Sequence, residues 1–175
     1  RRGILPLDHQ FHVPRSLIKY MKRCPYELRV NTAFSDVIRA CADIRNEKRD
    51  DSWINNTIIH LYETLAAQGH AFSVESWHEG KLVGGLYGVS IGGAFFGESM
   101  FSVMPHASKI ALVHLVDRLR QAGYALLDTQ YVNDHLKQFG VEEVPRATYL
   151  AYLENALKLS PNPSTRFLTV SESKS

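Results

Sequence analysis

Hydrophobic residues in the first third of the chain repeat at the spacing of amphipathic helices. Apolar positions recur with helical periodicity in three segments, residues 11–23, 33–42 and 53–65. Pro14 suits the first turn of the first segment, and Gly69 follows the third segment as a stop signal. The charged run at residues 45–51 contains almost no apolar side chain, so we predict a surface loop there.

The middle of the chain changes to the pattern of a β-meander. Residues 72–77, 82–90 and 94–101 are rich in Val, Phe, Tyr and Trp, and short glycine-containing segments separate them. This pattern predicts three consecutive antiparallel strands. Residues 107–121 then return to a helical spacing, and Gly123 stands where a helix C-cap belongs.

The last third of the chain alternates between short extended and helical segments. We predict a buried strand at residues 124–130, a short helix at 133–139, a strand at 141–144 and a helix at 146–159. A strand, a crossover helix and a second strand in this order form a parallel pair. The predicted fold class is therefore α+β, with an antiparallel meander, then a parallel strand, in one mixed sheet flanked by helices.

This order of elements resembles the GNAT acyltransferase fold. The resemblance implies that the last meander strand and its parallel neighbour splay apart to form a substrate cleft. A chain of 175 residues suits one principal core, so we assign residues 1–159 to a single GNAT-like domain. Residues 1–30 form its basic N-terminal segment, and residues 160–175 are expected to be a loose C-terminal tail.

Composition argues against membrane insertion, secretion and metal binding. The chain has no run of about 18 apolar residues, and its first residues lack the apolar region of a secretory signal. We therefore expect a cytoplasmic protein. Cys24 and Cys41 have no CxxC partner, and the eight histidines show no metal-ligand spacing. These features predict two reduced thiols, no metal and no cofactor.

Positive charge is concentrated towards the N-terminal end of the sequence. Residues 1–49 contain 11 Lys and Arg against 5 Asp and Glu, whereas residues 50–175 contain 9 against 13. Such an asymmetry often marks a phosphate-binding surface, although a basic solvated face is its more common explanation. The charge pattern permits an RNA partner without requiring one.

Several sequence blocks contain the residues best suited to chemistry. The main ones are residues 82–88 (LVGGLYG), 95–102 (FFGESMFS) and 127–130 (LDTQ), the last followed by NDHL at 133–136. With HVPRS at 12–16, HAFSVE at 70–75 and VPR at 144–146, they resemble the blocks of the leucyl/phenylalanyl-tRNA–protein transferase family. The resemblance extends in consistent order from residue 1 to about residue 155.

The chain departs from the family pattern at two positions. Val103 stands where the family usually has Arg, and Thr129 where it commonly has Cys or a related small residue. The family also carries an N-terminal domain before the segment that begins here, and we expect that domain to be absent from this chain. The part of the acceptor-end site that this domain supplies is therefore not assigned.

The resemblance implies an enzyme that moves Leu, Phe or Met from aminoacyl-tRNA to the α-amine of proteins beginning with Arg or Lys, marking them for N-degron degradation. The donor ester is already activated, so such a transfer needs no ATP and no metal. The family's Asp and Gln position the attacking amine, which assigns Asp128 and Gln130, with Glu98 as a ligand or support. Spacing alone places Asp128 and Gln130 on one face at a strand end, where both also suit a helix cap.

The resemblance also assigns a substrate pocket. Its apolar candidates are each equally suited to an ordinary core: Leu86, Met100, Leu112, Leu115, Leu119 and Leu127. Trp53, Tyr62 and Asn133 are further candidates. Trp53 is suited to stacking on the terminal adenine of the tRNA, or to a buried structural role.

Two groups of residues are candidates for binding the tRNA. Arg15, Lys19, Lys22 and Arg23 form a basic helix face that is suited to the acceptor stem or to simple solvation. Ser108 and Lys109 lie at the predicted start of a helix, where backbone N–H groups and the helix dipole attract phosphate.

Two other functions stay open from the sequence. A GNAT acyltransferase using acyl-CoA binds the CoA pyrophosphate with a glycine-rich turn at the start of its central helix. The equivalent residues 103–108 (VMPHAS) contain no glycine, and Pro105 removes a donor, which disfavours CoA. The other function is a non-catalytic module that binds RNA or protein N-termini.

Overall fold

The structure of the protein is a computed structural model that describes residues 1–48 and 54–161. The helices in these ranges are α1 (Arg15–Met21), α2 (Phe34–Lys48), α3 (Asn56–Ala67), α4 (Ala107–Ala122), α5 (Asp134–Lys137) and α6 (Arg146–Leu157). The strands are β1 (Arg2–Leu5), β2 (Glu27–Val30), β3 (Ala71–His78), β4 (Lys81–Ile91), β5 (Ala94–Ser102), β6 (Leu126–Gln130) and β7 (Glu142–Val144).

These strands form one mixed sheet in the order β2-β3-β4-β5-β6-β1-β7. β3, β4 and β5 pair antiparallel, which confirms the predicted meander. β6 pairs parallel to β5, with Ala94 opposite Leu126 and Phe96 opposite Asp128. Because α4 is the crossover between these two strands, the predicted α+β architecture is confirmed as well.

Two short strands were not predicted from the sequence. β1 inserts between β6 and β7 and pairs antiparallel with both, whereas β2 extends the other edge by pairing with β3. Each has four residues and no clear alternation of apolar and polar side chains. Pairing partners more than a hundred residues away in the sequence stabilise β1, so its own pattern could not reveal it.

Element boundaries differ from the predictions where capping or propensity decides them. The predicted loop at 45–51 is wrong for residues 45–48, because α2 continues to Lys48, and Arg, Glu and Lys are favourable helix residues. The rest of that run lies outside the described residues. α3 begins at Asn56, since the side chain of Asn55 accepts a hydrogen bond from the N–H of Ile58.

The sheet buries a different cluster of side chains on each face. Successive residues of a strand point to opposite faces, so Leu86 packs in the cluster containing α4, and Tyr87 in the cluster containing α2 and α3. α6 covers a third, smaller cluster around Ala94 and Leu126. Within the described residues, no helix is long and apolar enough to cross a membrane.

Candidate active site

The sheet opens where its parallel pair ends. β5 and β6 are paired only from Ala94 to Phe96, after which β5 runs on to Ser102 beside β4. A cavity of about 400 Å³ lies in the resulting gap. The splayed strands expected from the sequence are therefore present, and this cavity lies between them.

A β-bulge places Glu98 in this cavity. Gly88 of β4 lies opposite Gly97, but Tyr87 lies opposite Ser99, so Glu98 is the extra residue. Gly88 allows the bulge, because a Cβ there would stand 2.3 Å from the carbonyl oxygen of Phe96. A bulge turns a side chain out of the regular alternation, and here it turns the Glu98 carboxylate into the gap.

Glu98 is a partly buried carboxylate with two hydrogen-bond donors. Gln130 Nε2 donates to Glu98 Oε2 at 3.1 Å, and the hydroxyl of Tyr62 is the second donor. Burial raises the pKa of Glu98, and these two hydrogen bonds partly offset the rise. Burial raises the pKa of Tyr62 to about 12, so its hydroxyl stays protonated near neutral pH.

Gln130 bridges the gap from the opposite strand. Its Nε2 also approaches the carbonyl oxygen of Gly97 at 3.3 Å. The backbone of Gln130 has φ +65°, in the left-handed region that is unfavourable for a residue with a side chain. This conformation ends β6 and turns the side chain towards β5. Both of these side-chain contacts use the amide nitrogen of Gln130 and leave its amide oxygen without a hydrogen bond to the described residues.

Asp128 lies behind the cavity rather than in its wall. Its side chain is fully buried, and Arg2 Nε donates to its two carboxylate oxygens at 3.0 and 2.9 Å. The hydroxyl of Tyr149 donates to Oδ2 at 2.5 Å, and the N–H of Gln130 donates to Oδ1 at 2.7 Å. The spacing of Asp128 and Gln130 predicted that they emerge together, but the left-handed turn at Gln130 separates them.

The remaining wall of the cavity is largely apolar. It contains five of the six apolar residues predicted for the pocket, namely Leu86, Met100, Leu112, Leu115 and Leu127. Leu119 is fully buried in the core cluster and does not line the cavity. Asn133 lines the cavity and also caps α5 by accepting a hydrogen bond from the N–H of Leu136 at 2.8 Å.

Other cavity residues were not singled out from the sequence. They are Tyr87, Gly97, Ser99, Thr129, Tyr131 and Leu136. The hydroxyl oxygen of Ser99 is buried without a hydrogen-bond partner among the described residues. The Gly-Glu-Ser run in a strand was the available signal, because a glycine beside two polar residues marks a bulge. Tyr62 contacts Glu98 from outside the lining, and Trp53 lies outside the described residues.

The predicted tRNA-binding residues fall into two different environments. Arg15, Lys19, Lys22 and Arg23 are all exposed on α1 and the residues that follow it. Ser108 is buried, and its N–H donates to the hydroxyl of Ser102 at 3.1 Å. The protein itself therefore occupies this donor at the start of α4. Lys109 Nζ lies 3.4 Å from the side-chain oxygen of Gln138.

Comparison with solved structures supports the fold alone. L-PGS from Bacillus licheniformis aligns with a TM-score of 0.51 and 15% identity, covering 88% of this chain and 51% of that one. A conserved protein of unknown function from Bacteroides thetaiotaomicron aligns with a TM-score of 0.51 and 14% identity, covering 86% and 55%. The chain thus spans about half the length of each of these structures.

Sequence comparisons identify the family. A protein from Caulobacter vibrioides named leucyl/phenylalanyl-tRNA--protein transferase is 57% identical over 157 residues, which cover 90% of this chain and 71% of that protein. One of the same name from Paramagnetospirillum magneticum is 53% identical over 157 residues, covering 90% and 74%. The family profile described as leucyl/phenylalanyl-tRNA protein transferase matches residues 4–154. The chain belongs to the leucyl/phenylalanyl-tRNA protein transferase family.

Proposed function

We propose that this protein transfers Leu, Phe or Met from aminoacyl-tRNA to the α-amine of proteins that begin with Arg or Lys, marking them for N-degron degradation. The observation that carries the proposal is the cavity between β5 and β6, which joins an apolar wall to the Glu98–Gln130 pair at one opening. Family membership provides the reaction class, and the cavity provides a place for both substrates.

The apolar wall suits the side chain of the donor amino acid. Met100, Leu112, Leu115 and Leu127 contribute flexible or branched apolar surface. A charged side chain would lose its hydration there without gaining a partner. Apolar pockets separate side chains differing by one methylene by only about 1–3 kcal/mol. We therefore expect Leu, Phe and Met to be accepted together, and charged amino acids to be rejected.

The polar side of the cavity suits the acceptor amine. Arg2 pairs with Asp128, whereas Glu98 lines the cavity and forms no salt bridge with any of the described residues. An ionised Glu98 attracts a cationic N-terminal residue. The amide oxygen of Gln130 is suited to accept a hydrogen bond from the α-amine. The amine then attacks the ester carbonyl carbon, a peptide bond forms, and the tRNA 3′-oxygen departs with a proton.

The donor tRNA requires a cationic surface outside the cavity. Arg15, Lys19, Lys22 and Arg23 are exposed and concentrate positive charge on and beside α1. We propose that this face binds the tRNA backbone, which makes binding weaken as salt rises. Because aminoacyl-tRNA is the donor pool of translation, we also propose that the protein acts in the cytoplasm.

The start of α4 disfavours the alternative of an acyl-CoA transferase. Pyrophosphate binding needs several free N–H groups at a helix N-terminus. Here Pro105 has no N–H, and the N–H of Ser108 is donated to Ser102. A phosphate at Ser108 itself is disfavoured for the same reason, which leaves α1 and Lys109 as the proposed RNA contacts.

Transfer assays with three donors test the proposal. The protein is incubated with labelled leucyl-tRNA, phenylalanyl-tRNA or acetyl-CoA and a peptide beginning with Arg, and the same peptide with a blocked α-amine is the matched control. We expect label on the free-amine peptide from both aminoacyl-tRNAs and none from acetyl-CoA. Transfer from acetyl-CoA alone would establish the acyltransferase alternative. Tight tRNA binding without any transfer would establish the non-catalytic module.

A further inference from the structure

Asp128 on β6 is tied to two other elements of the fold and to the end of its own strand. Arg2 on β1 contacts both of its carboxylate oxygens, and Tyr149 on α6 donates to Oδ2 at 2.5 Å. The third contact comes from the N–H of Gln130, two residues further along β6. Arg2 and Tyr149 also contact each other, since the guanidinium carbon lies 5.7 Å from the centroid of the ring.

The contact with Gln130 holds an unfavourable backbone conformation in place. A left-handed conformation is unfavourable for a residue other than glycine, and such residues persist only where the surroundings hold them. Asp128 Oδ1 accepts the N–H of Gln130 in the manner of an Asx-turn. The position of the Asp128 carboxylate therefore determines the direction in which Gln130 leaves the sheet.

β1 packs against the same turn. Gly3 lies opposite Gln130, and a Cβ on Gly3 would stand 2.7 Å from the carbonyl carbon of Tyr131 and 2.9 Å from the hydroxyl of Thr129. Only a glycine lets β1 approach so closely. This close approach brings Arg2, the residue before Gly3, within hydrogen-bond distance of the Asp128 carboxylate.

We propose that Arg2 and Tyr149 are positioning residues that act through Asp128, holding its carboxylate so that the Gln130 amide is directed at Glu98 in the cavity. The inference rests on the proposed function, because it assigns Gln130 to the amine of the acceptor. Arg2 cancels the charge of Asp128. The Tyr149 hydroxyl donates to Asp128 Oδ2, whereas the Gln130 N–H donates to Oδ1. Neither side chain lines the cavity.

The protonation of Tyr149 suits this role. Burial, together with the hydrogen bond to Asp128, raises the pKa of Tyr149 to about 12. Its hydroxyl consequently donates throughout the neutral range. Burial is the main cause of the raised pKa of Glu98, and Asp128 raises that pKa further while Arg2 lowers it, so the Arg2–Asp128 pair lies within electrostatic reach of the cavity.

A double-mutant cycle separates positioning from general structural support. Tyr149→Phe removes only the hydroxyl that donates to Asp128. In single-turnover transfer with saturating leucyl-tRNA, we expect roughly a tenfold slower rate and an unchanged Kd for the tRNA. In a Gln130→Ala background the same change should have almost no further effect, because the group that Tyr149 positions is already missing. An equal loss in both backgrounds would overturn the proposal.

Arg2 provides a second and independent variant. We expect Arg2→Met to slow transfer by at least roughly tenfold and Arg2→Lys to restore part of the rate, since Lys returns the charge without the planar guanidinium. Arg1→Met is the matched control, because Arg1 is the residue immediately before Arg2 but pairs with the exposed Glu143. Tyr152→Phe, at an exposed position of α6, is the control for Tyr149→Phe.

The outcomes of this experiment and of the functional assay are distinguishable. If the unmodified protein transfers nothing from aminoacyl-tRNA, the proposed function fails. If it transfers normally and Tyr149→Phe and Arg2→Met are as fast as their controls, the function stands and the positioning role is refuted. Thermal unfolding of each variant shows whether a slow variant is folded. The transfer rates of Arg2→Lys and Arg2→Met are compared only when both variants are folded.

Discussion

Two carboxylates, Glu75 and Asp128, are completely buried in the same sheet but have different kinds of partners. Glu75 accepts hydrogen bonds from neutral donors: the N–H and hydroxyl of Thr32, the N–H of Ala33, the hydroxyl of Ser73 and the indole of Trp77. Asp128 instead has a cationic partner, Arg2, together with Tyr149 and the N–H of Gln130.

The difference shows how one chemical group serves two purposes. Glu75 accepts hydrogen bonds from the N–H groups of Thr32 and Ala33, which lie just before α2. Glu75 therefore attaches that helix to β3. None of the hydrogen-bond partners of Glu75 lines the cavity. Asp128 is connected through a single backbone N–H to Gln130, whose side chain reaches Glu98. Burial alone therefore does not distinguish these two carboxylates. They differ in the group that their partners contact in turn, and on the proposed function this difference makes Glu75 structural and Asp128 a support of the site.

The largest expected effect concerns Glu75. Glu75→Ala leaves several buried donors without an acceptor, so we expect the free energy of unfolding to fall by about 3–5 kcal/mol. Chemical denaturation measures this loss. Glu154→Ala, at an exposed residue of α6, is the control and should change stability by less than about 0.5 kcal/mol. If Glu75→Ala were as stable as the control, the structural role of Glu75 would be wrong.

An intermediate effect is expected at Gln130, on rate rather than on stability. Gln130→Gly removes the side-chain amide, but glycine suits the backbone φ of +65° at this position. We therefore expect the free energy of unfolding to rise by about 1 kcal/mol, which means a more stable protein. Transfer should slow by roughly a hundredfold, a rate loss worth about 2.7 kcal/mol.

Glu79→Gly is the matched control for this substitution, because Glu79 also has a positive φ but lies in the exposed turn between β3 and β4. It should gain stability without losing transfer. A Gln130→Gly variant that transfers as fast as this control would remove Gln130 from the reaction.

The smallest expected effect is a gain of stability at Glu98. Burial raises the pKa of Glu98 above its ordinary value of 4.5, so the folded state binds this proton more tightly than the unfolded state. That contribution is complete at low pH and is lost as pH rises through the raised pKa. Glu98→Gln should therefore be slightly more stable at pH 7, by a fraction of a kcal/mol because the side chain is partly exposed.

The same pKa predicts the pH dependence of transfer. If ionised Glu98 attracts the acceptor, the rate with an Arg-starting peptide should rise with pH through a value above 4.5. The Glu98→Gln variant should be slower and should lack this acidic limb. A variant that keeps the acidic limb would show that another group titrates, and would assign Glu98 to a structural role closer to that of Glu75.

Hydrophobic periodicity and the family blocks, both features of the sequence alone, determined the larger elements and the apolar wall of the cavity. β3, β4, β5 and α4 are long and strongly patterned, so each was predicted within a few residues of its observed bounds. Leu86, Met100, Leu112, Leu115 and Leu127 follow from that pattern and the family blocks, and all line the cavity. The blocks also singled out Glu98 and Gln130, and in the structure Gln130 Nε2 lies 3.1 Å from Glu98 Oε2.

Tertiary structure alone decided how the polar groups are divided between the cavity and the core. Alternation along β6 predicted that Asp128 and Gln130 share a face, but a left-handed residue interrupts that alternation. Arg2 lies 126 positions before its partner, on a strand too short to show a pattern. A sequence records local spacing, whereas a bulge, a left-handed turn and a distant ion pair depend on packing between elements, and these determine where each carboxylate points.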